Sequence, residues 1–293
     1  MFLSLLLLIL TADTTAPVLF APGQVPTTAF YVLAPAFTPD GRTVYFFQGS
    51  PNGGDSIMCS TREATGWSTP RVAPFSGWSR DLEPAFSPDG RYLVFASSRP
   101  QNAGDSAVSG FYNGQVLPGK GGRLWKVTRQ SDGWGAPEML PVQVNANTSL
   151  FSPAVAGDGS LYFMRADSGK LFHIYRSAMK DGVLQTPVAL PFIQADHGDY
   201  DPAVSSDESF LIFSSDRPPS PPHTADIFIV FRTPGGWGDP IDLRQALSSE
   251  YVHGVECRLS PDDKTLYFSN GARDGRYGIW QVDITPLLKT HAD

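Results

Sequence analysis

The sequence predicts an all-β fold, a single β-propeller of five four-stranded blades. Three observations carry the prediction. The 293 residues include 28 Gly and 26 Pro, half as much again as the roughly 12% these two contribute to an average chain. Breakers therefore fall too often for a helical bundle or a series of βαβ units. One phrase recurs five times: an apolar strand, a tight turn centred on Asp, and a second apolar strand. The turn aspartates Asp40, Asp89, Asp158, Asp207 and Asp262 stand 49, 69, 49 and 55 residues apart, which is blade spacing with one insertion of about 20 residues in the second copy. Aromatic residues at 12% supply ample core, which excludes a disordered chain.

The phrase opens with the innermost strand, as Pro35-Ala36-Phe37, Pro84-Ala85-Phe86, Pro153-Ala154-Val155, Pro202-Ala203-Val204 and, in the last copy, Arg258-Leu259. The turn follows, as in Ser87-Pro88-Asp89-Gly90. Pro at the first central position presets φ, Asp suits the next, and Gly41, Gly90 and Gly159 accept the left-handed conformation that closes a short hairpin. Glu208 and Asp263 replace that glycine in the last two copies, so those turns are expected to be strained or of another type.

The second strands, such as Val44-Tyr45-Phe46-Phe47 and Phe210-Leu211-Ile212-Phe213, are near-continuous apolar runs, as strands covered on both faces require. A third strand follows in each copy. The fourth is announced by Gly66-Trp67, Gly133-Trp134 and Gly236-Trp237, each with a proline three residues on. Pro suits an outer edge, where its missing N–H breaks no ladder. The three tryptophans are expected to pack between blades. The fifth copy stops after its third strand, while residues 16–20 match fourth-strand segments such as Thr186-Pro187-Val188. The amino-terminal strand is therefore expected to complete the last blade. Six blades is the weaker alternative, because no stretch of about 40 residues remains unassigned.

These hairpins, the Ser-Ser-Arg-Pro (97–100) and Ser-Ser-Asp-Arg-Pro (214–218) tails and the Gly-Trp-x-x-Pro strands resemble TolB-type β-propeller repeats over residues 16–284. The resemblance implies a propeller of the bacterial envelope that serves as a binding or scaffolding ring.

Charge and cysteine narrow the setting. Lys and Arg number 22 against 29 Asp and Glu, a net charge of −7, so nucleic acid, which needs a positive surface, is not an expected partner. Cys59 and Cys257 sit in apolar strand-like runs and read as buried free thiols. Residues 2–10 form an apolar run with one Ser, too short to span a bilayer as a helix. Residues 1–15 read as an export signal. The mature propeller, 16–293, is then expected to be a monomer in a periplasm or outside the cell, with no transmembrane span.

Propeller ligands usually bind where the innermost strands begin. That rule selects Asp81, Glu83, Asp199, Asp201, His253 and Glu256, with His197 nearby, as an acidic channel mouth. The insertion of residues 101–122, with Phe111-Tyr112, and the Pro-rich loop of residues 218–223 are expected over the same mouth. Three chemistries suit such a cluster. The carboxylates can cap turns and pair with nearby Arg, and Arg99 and Arg217 read as structural partners of the turn carboxylates. Together with His they can hold a divalent cation. Two of them can flank a sugar bond as in a glycan hydrolase or lyase. No nucleophile elbow, His-Glu-x-x-His, phosphate loop or Cys-x-x-Cys occurs, and His173 reads as a strand residue. The sequence therefore points to a non-enzymatic ring that binds protein, peptide or glycan, with no catalytic residue assigned and a metal-assisted or acid/base enzyme as the alternative.

Overall fold

The computed structural model describes residues 16–25, 31–49, 54–167, 171–221, 224–247, 254–271 and 277–291. Residues 1–15, Pro222, His223 and His253 lie outside them. Five antiparallel blades stand in a ring, with blades 5 and 1 joined into one sheet by a parallel backbone pair at Tyr31 and Tyr277. Blade 1 runs outward through Tyr31–Phe37, Thr43–Gly49 and Ser56–Glu63, and blade 2 through Asp81–Phe86, Tyr92–Ser97 and Arg123–Gln130. Blade 3 comprises Leu150–Val155, Leu161–Asp167 and Leu171–Ser177, and blade 4 comprises Asp199–Val204, Phe210–Ser215 and Asp226–Thr233. Blade 5 comprises Val255–Leu259, Thr265–Gly271 and Tyr277–Asp283. Its outer strand is Val18–Leu19, antiparallel to Tyr277–Asp283 with Val18 opposite Gln281, so the two ends of the chain close the ring as expected.

The outer strands are broken in two. In blade 1 Gly66–Trp67 pairs with one part of the third strand and Arg71–Val72 with another; blades 2 and 4 repeat this with Gly133–Trp134 and Glu138–Met139, and with Gly236–Trp237 and Ile241–Asp242. Pro70, Pro137 and Pro240 fall in the breaks, where a residue without an N–H interrupts no ladder. Each tryptophan reaches into the joint with the preceding blade. The Trp134 indole N–H donates to the Tyr45 hydroxyl at 3.0 Å, Trp237 lies edge-on to Tyr162 at 6.5 Å between centroids, and Trp67 packs on Phe20 and Phe37 at 5.6 and 6.2 Å. Blades 4 and 5 meet differently. Two short helices absent from the sequence expectations, α1 (Leu243–Ala246) and α2 (Thr285–Thr290), bring Leu243, Leu247 and Leu287 into one cluster with Ile212, Ile229 and Leu266. No helix among the described residues is long and apolar enough to cross a membrane.

All five turns keep one geometry. Glu208 and Asp263 hold the left-handed conformation of Gly41 and Gly90, with φ of 58° and 57°, at a cost of about 1–2 kcal/mol each for a residue with a Cβ. Their side chains offset it. The Glu208 carboxylate accepts from the Tyr162 hydroxyl at 2.6 Å and the Arg176 guanidinium at 2.7 Å, and Asp263 accepts from the Ser206 N–H at 2.8 Å. Each bond crosses to the preceding blade. Cys59 and Cys257 are buried and free.

Candidate functional site: the channel and its mouth

Each inner strand carries one irregularity, always at the same repeat position. Pairing with the second strand shifts register after Leu33, Leu82, Phe151, Tyr200 and Val255. Inside each shift one residue takes a left-handed φ: Ala34 (52°), Glu83 (52°), Ser152 (48°), Asp201 (53°) and Glu256 (59°). A bulge of this kind re-aims side chains. It breaks the strand's alternation, so that Glu83 and Asp201 make bonds across the ring while Asp81 and Asp199, two residues earlier, pair within their own blades.

Asp201 is the hub of the ring. The Ser152 hydroxyl donates to its Oδ1 at 2.7 Å and the Glu256 N–H to its Oδ2 at 2.9 Å, while the Ser152 N–H donates to Glu83 Oε2 at 2.5 Å. Blades 2 to 5 are thus tied through the Glu83 and Asp201 carboxyls, Ser152 and the Glu256 backbone N–H. Four copies follow the bulge with Ala36, Ala85, Ala154 and Ala203, and the fifth has Arg258. The small residues leave the axis open for that one guanidinium. It donates to the Cys257 carbonyl at 2.6 Å and to the Ser152 hydroxyl at 3.4 Å, and lies 3.8 Å from Glu256 Oε2. Arg258, with Arg80 as a weaker second cation, faces three buried acids. Burial, then the Asp201 charge, pushes the Glu83 carboxyl up to about 7, against the opposing Ser152 N–H and Arg258. The same two causes hold Glu256 well above the usual carboxylate range.

Beside Glu83 a cavity of about 260 Å³ opens, lined also by Arg80, Phe111, Tyr112, Lys120, Phe151 and Phe172. Its roof is the insertion, folded as a hairpin of Gly110–Tyr112 with Gln115–Leu117. The hairpin is fastened to blade 3. The Phe111 N–H donates to the Ser149 hydroxyl at 2.6 Å, and Tyr112 stacks on Phe172 at 5.3 Å. Among the Pro-Ala phrases and Arg258 lies a separate cavity of about 100 Å³.

The remaining sequence candidates lie elsewhere. Asp81 and Asp199 are fully buried at the blade flanks, bonded to Arg99 at 2.7 Å and Arg217 at 2.6 Å. The guanidiniums themselves lie over aromatic rings, Arg99 over Phe95 at 5.0 Å and Arg217 over Phe213 at 5.1 Å. The Ser-Ser-Arg-Pro and Ser-Ser-Asp-Arg-Pro tails are therefore structural, with Ser97 and Ser215 each accepting from the guanidinium that follows. Burial outweighs Arg217 and raises the Asp199 carboxyl above its ordinary value. His197 sits beside Asp196 and Asp216, at 3.6 and 3.8 Å. His173 is a strand residue paired with Arg165 in register. Ser152, Arg258, Arg80 and Lys120 were not singled out from the sequence. The first two were legible as breaks in the aligned phrase, a Ser where neighbours have acids and an Arg where neighbours have Ala. Among the described residues no group of three or more His, Cys, Asp or Glu side chains is arranged to hold a metal ion.

No protein-family model and no curated protein matches the chain. Solved structures do match in fold. TolB from Acinetobacter baumannii is 17% identical with a TM-score of 0.52, covering 86% of this chain, which spans only 54% of that one. A putative TolB from Agrobacterium tumefaciens is 18% identical with a TM-score of 0.50, covering 83% of this chain and 70% of its own. A thermostable family-43 glycoside hydrolase is 15% identical with a TM-score of 0.54, covering 86% and 88%. At these identities the likeness is one of fold. The molecule is a five-bladed β-propeller of TolB-like fold.

Proposed function

We infer that the propeller is a non-enzymatic binding ring that takes a cationic, partly apolar segment of a protein or peptide into the cavity beneath the insertion hairpin. The observation that carries this reading is the placement of Glu83 at a cavity walled by Phe111, Tyr112, Phe151 and Phe172, where Arg80 is already paired with Asp55 at 2.6 Å and Lys120 is the other cation of the lining. Aromatic faces attract a cation, and the Glu83 carboxyl gives it a counter-charge where water is scarce. The apolar residues 2–10 support export, and hence an extracytoplasmic ligand, bound by a single copy of the chain.

A glycan hydrolase has less support. Its two carboxyls must leave space between them for a sugar bond or a water, whereas one residue, Ser152, bridges Glu83 and Asp201 through its N–H and its hydroxyl.

Selection from a random-peptide library tests the reading. Binders to the unmodified protein are expected to share a Lys, an Arg or a free amino terminus beside an apolar residue. They should weaken at least tenfold against Glu83→Gln and against a variant with residues 110–117 replaced by Gly-Ser. Binders indifferent to both changes would move the site away from the mouth.

A further inference from the structure

Three of the five joints between blades hold a tryptophan in a common arrangement, and a fourth keeps the arrangement without the aromatic filling. Between blades 1 and 2 three aromatic side chains meet: Tyr45 from the second strand of blade 1, and Phe86 and Trp134 from the inner and outer strands of blade 2. Their centroids lie 5.5 to 5.9 Å apart. Between blades 5 and 1 the same repeat positions hold Tyr267, Phe37 and Trp67, with Phe20 added from the closing strand. Blades 3 and 4 keep Tyr162 and Trp237, with Val204 in place of the phenylalanine. Blades 4 and 5 use the leucines of α1 and α2.

The joint between blades 2 and 3 departs from all of these. Backbone bonds fix the equivalence: Gly135 donates to the Thr128 carbonyl just after Trp134, Gly238 to Phe231 just after Trp237, and Gln185 to Ala178 just after Leu184. Leu184 therefore occupies the tryptophan position. The tyrosine position, opposite the alanine that follows the bulge, is Val94, and the phenylalanine position is Val155. Three aromatics are replaced by three aliphatics at one joint. All three line a cavity of about 330 Å³, together with Met179, Leu140 and Leu161. Tyr92 and Lys126 bring it the only hydroxyl and ammonium.

We propose that this inter-blade cavity is a second binding site, separate from the channel mouth, for a small planar aromatic molecule of indole size. The ligand class follows from the chain itself. At three sibling joints the same cradle of strands holds an indole, so the backbone already has the shape that accepts one. A cleft lined mostly by aliphatic side chains offers ordered water few partners and favours an apolar ring in its place. The Tyr92 hydroxyl at the lining can accept an indole N–H, as the Tyr45 hydroxyl does from Trp134 at the sibling joint. Nothing in this site depends on Glu83 or the hairpin, so its success or failure is independent of the mouth.

Free indole is the probe, titrated into the full chain labelled with ¹³C-methyl methionine. The Met179 methyl is expected to shift in a saturable manner, with Glu83→Gln behaving as wild type. Rebuilding the sibling joint with Val94→Tyr and Leu184→Trp is expected to fill the cavity, weaken indole binding at least tenfold and raise the melting temperature. The single change Leu184→Phe, a smaller alteration, is expected to weaken binding in the same direction and serves if the double variant does not fold. A wild-type Met179 signal unmoved up to the solubility limit of indole, or equal affinity in the filled variants, would overturn the proposal.

Discussion

Asp201 and Ser152 meet at the channel axis, the Ser152 hydroxyl donating to Asp201 Oδ1 at 2.7 Å. The contact joins blades 3 and 4, and the other oxygen of the same carboxylate takes the Glu256 N–H of blade 5. Removing the acceptor in Asp201→Ala leaves two buried donors unsatisfied, each worth about 1–3 kcal/mol. Relief of repulsion on Glu83 and Glu256 offsets part of that. A net loss of about 2 kcal/mol in urea unfolding is expected. In Asp201→Asn the fold keeps an acceptor but loses a charge, so the Glu83 carboxyl resonance is expected to titrate below its native midpoint of about 7. An unchanged midpoint in Asp201→Asn would show that Asp201 does not charge the channel.

The raised carboxyls make stability depend on pH in an unusual direction. Glu83 has an ordinary value of 4.5 and is pushed up to about 7 in the fold. Between those values the folded state holds the proton and the unfolded chain does not, so stability falls as pH rises through that window. Glu256, raised by the same causes, extends the fall to higher pH. The Glu83→Gln variant cannot ionise and is expected to lose less stability than wild type between pH 5 and pH 8. Parallel urea midpoints for the two proteins across that range would contradict the assignment. Ligand binding should run the other way, since a cationic peptide at the mouth needs Glu83 ionised and is expected to bind more tightly at pH 8 than at pH 6.

Arg217 and Asp199 test the separation of structure from function. Their side chains are 7% and 0% exposed, and removing one member of such a buried pair leaves the other charge without compensation. Arg217→Met is expected to cost about 3–5 kcal/mol in urea unfolding, with much of it recovered in the double variant Asp199→Leu, Arg217→Met. Peptide binding by the folded fraction should not change. A selective loss of binding in the double variant would return Asp199 to the site.

The sequence shows the ring more fully than the site, and particular residues explain the difference. Hairpins such as Ser87-Pro88-Asp89-Gly90 are local devices whose residues act on their own backbone, so five copies could be counted without coordinates. The strand Val18–Leu19 was recognised by its likeness to other outer strands. The carboxylates were harder to sort. Asp81 and Glu83 are two residues apart, and simple alternation puts them on one face. The left-handed φ of Glu83 separates them, and a bulge next to proline leaves no local signature of which way each side chain turns. Arg99 was expected to serve a turn carboxylate; its partner is instead Asp81 at the start of an inner strand, a pairing set by the fold of the whole blade. Helices α1 and α2 leave no periodic signal in the sequence because each is under two turns long and forms against the joint between blades 4 and 5.

Closure of the ring rests on very few residues. Val18–Leu19 supplies two residue pairs to blade 5, and Phe20 packs edge-on to Phe37, Trp67 and Tyr267 at 5.5 to 5.6 Å. Phe20 therefore bridges the first and last blades through their own aromatic joint. Phe20→Ala is expected to cost about 3–5 kcal/mol, the usual result of emptying a buried phenylalanine site. A chain beginning at Tyr31 should lose both the outer strand and this ring, exposing the edge of Tyr277–Asp283 to other chains. Lowered melting temperature and concentration-dependent aggregation are expected. A synthetic peptide of residues 16–25, added in trans, should restore the melting temperature by strand addition, whereas the same peptide carrying Phe20→Ala should not. An unaltered melt for the shortened chain would show that blade 5 holds without its amino-terminal strand.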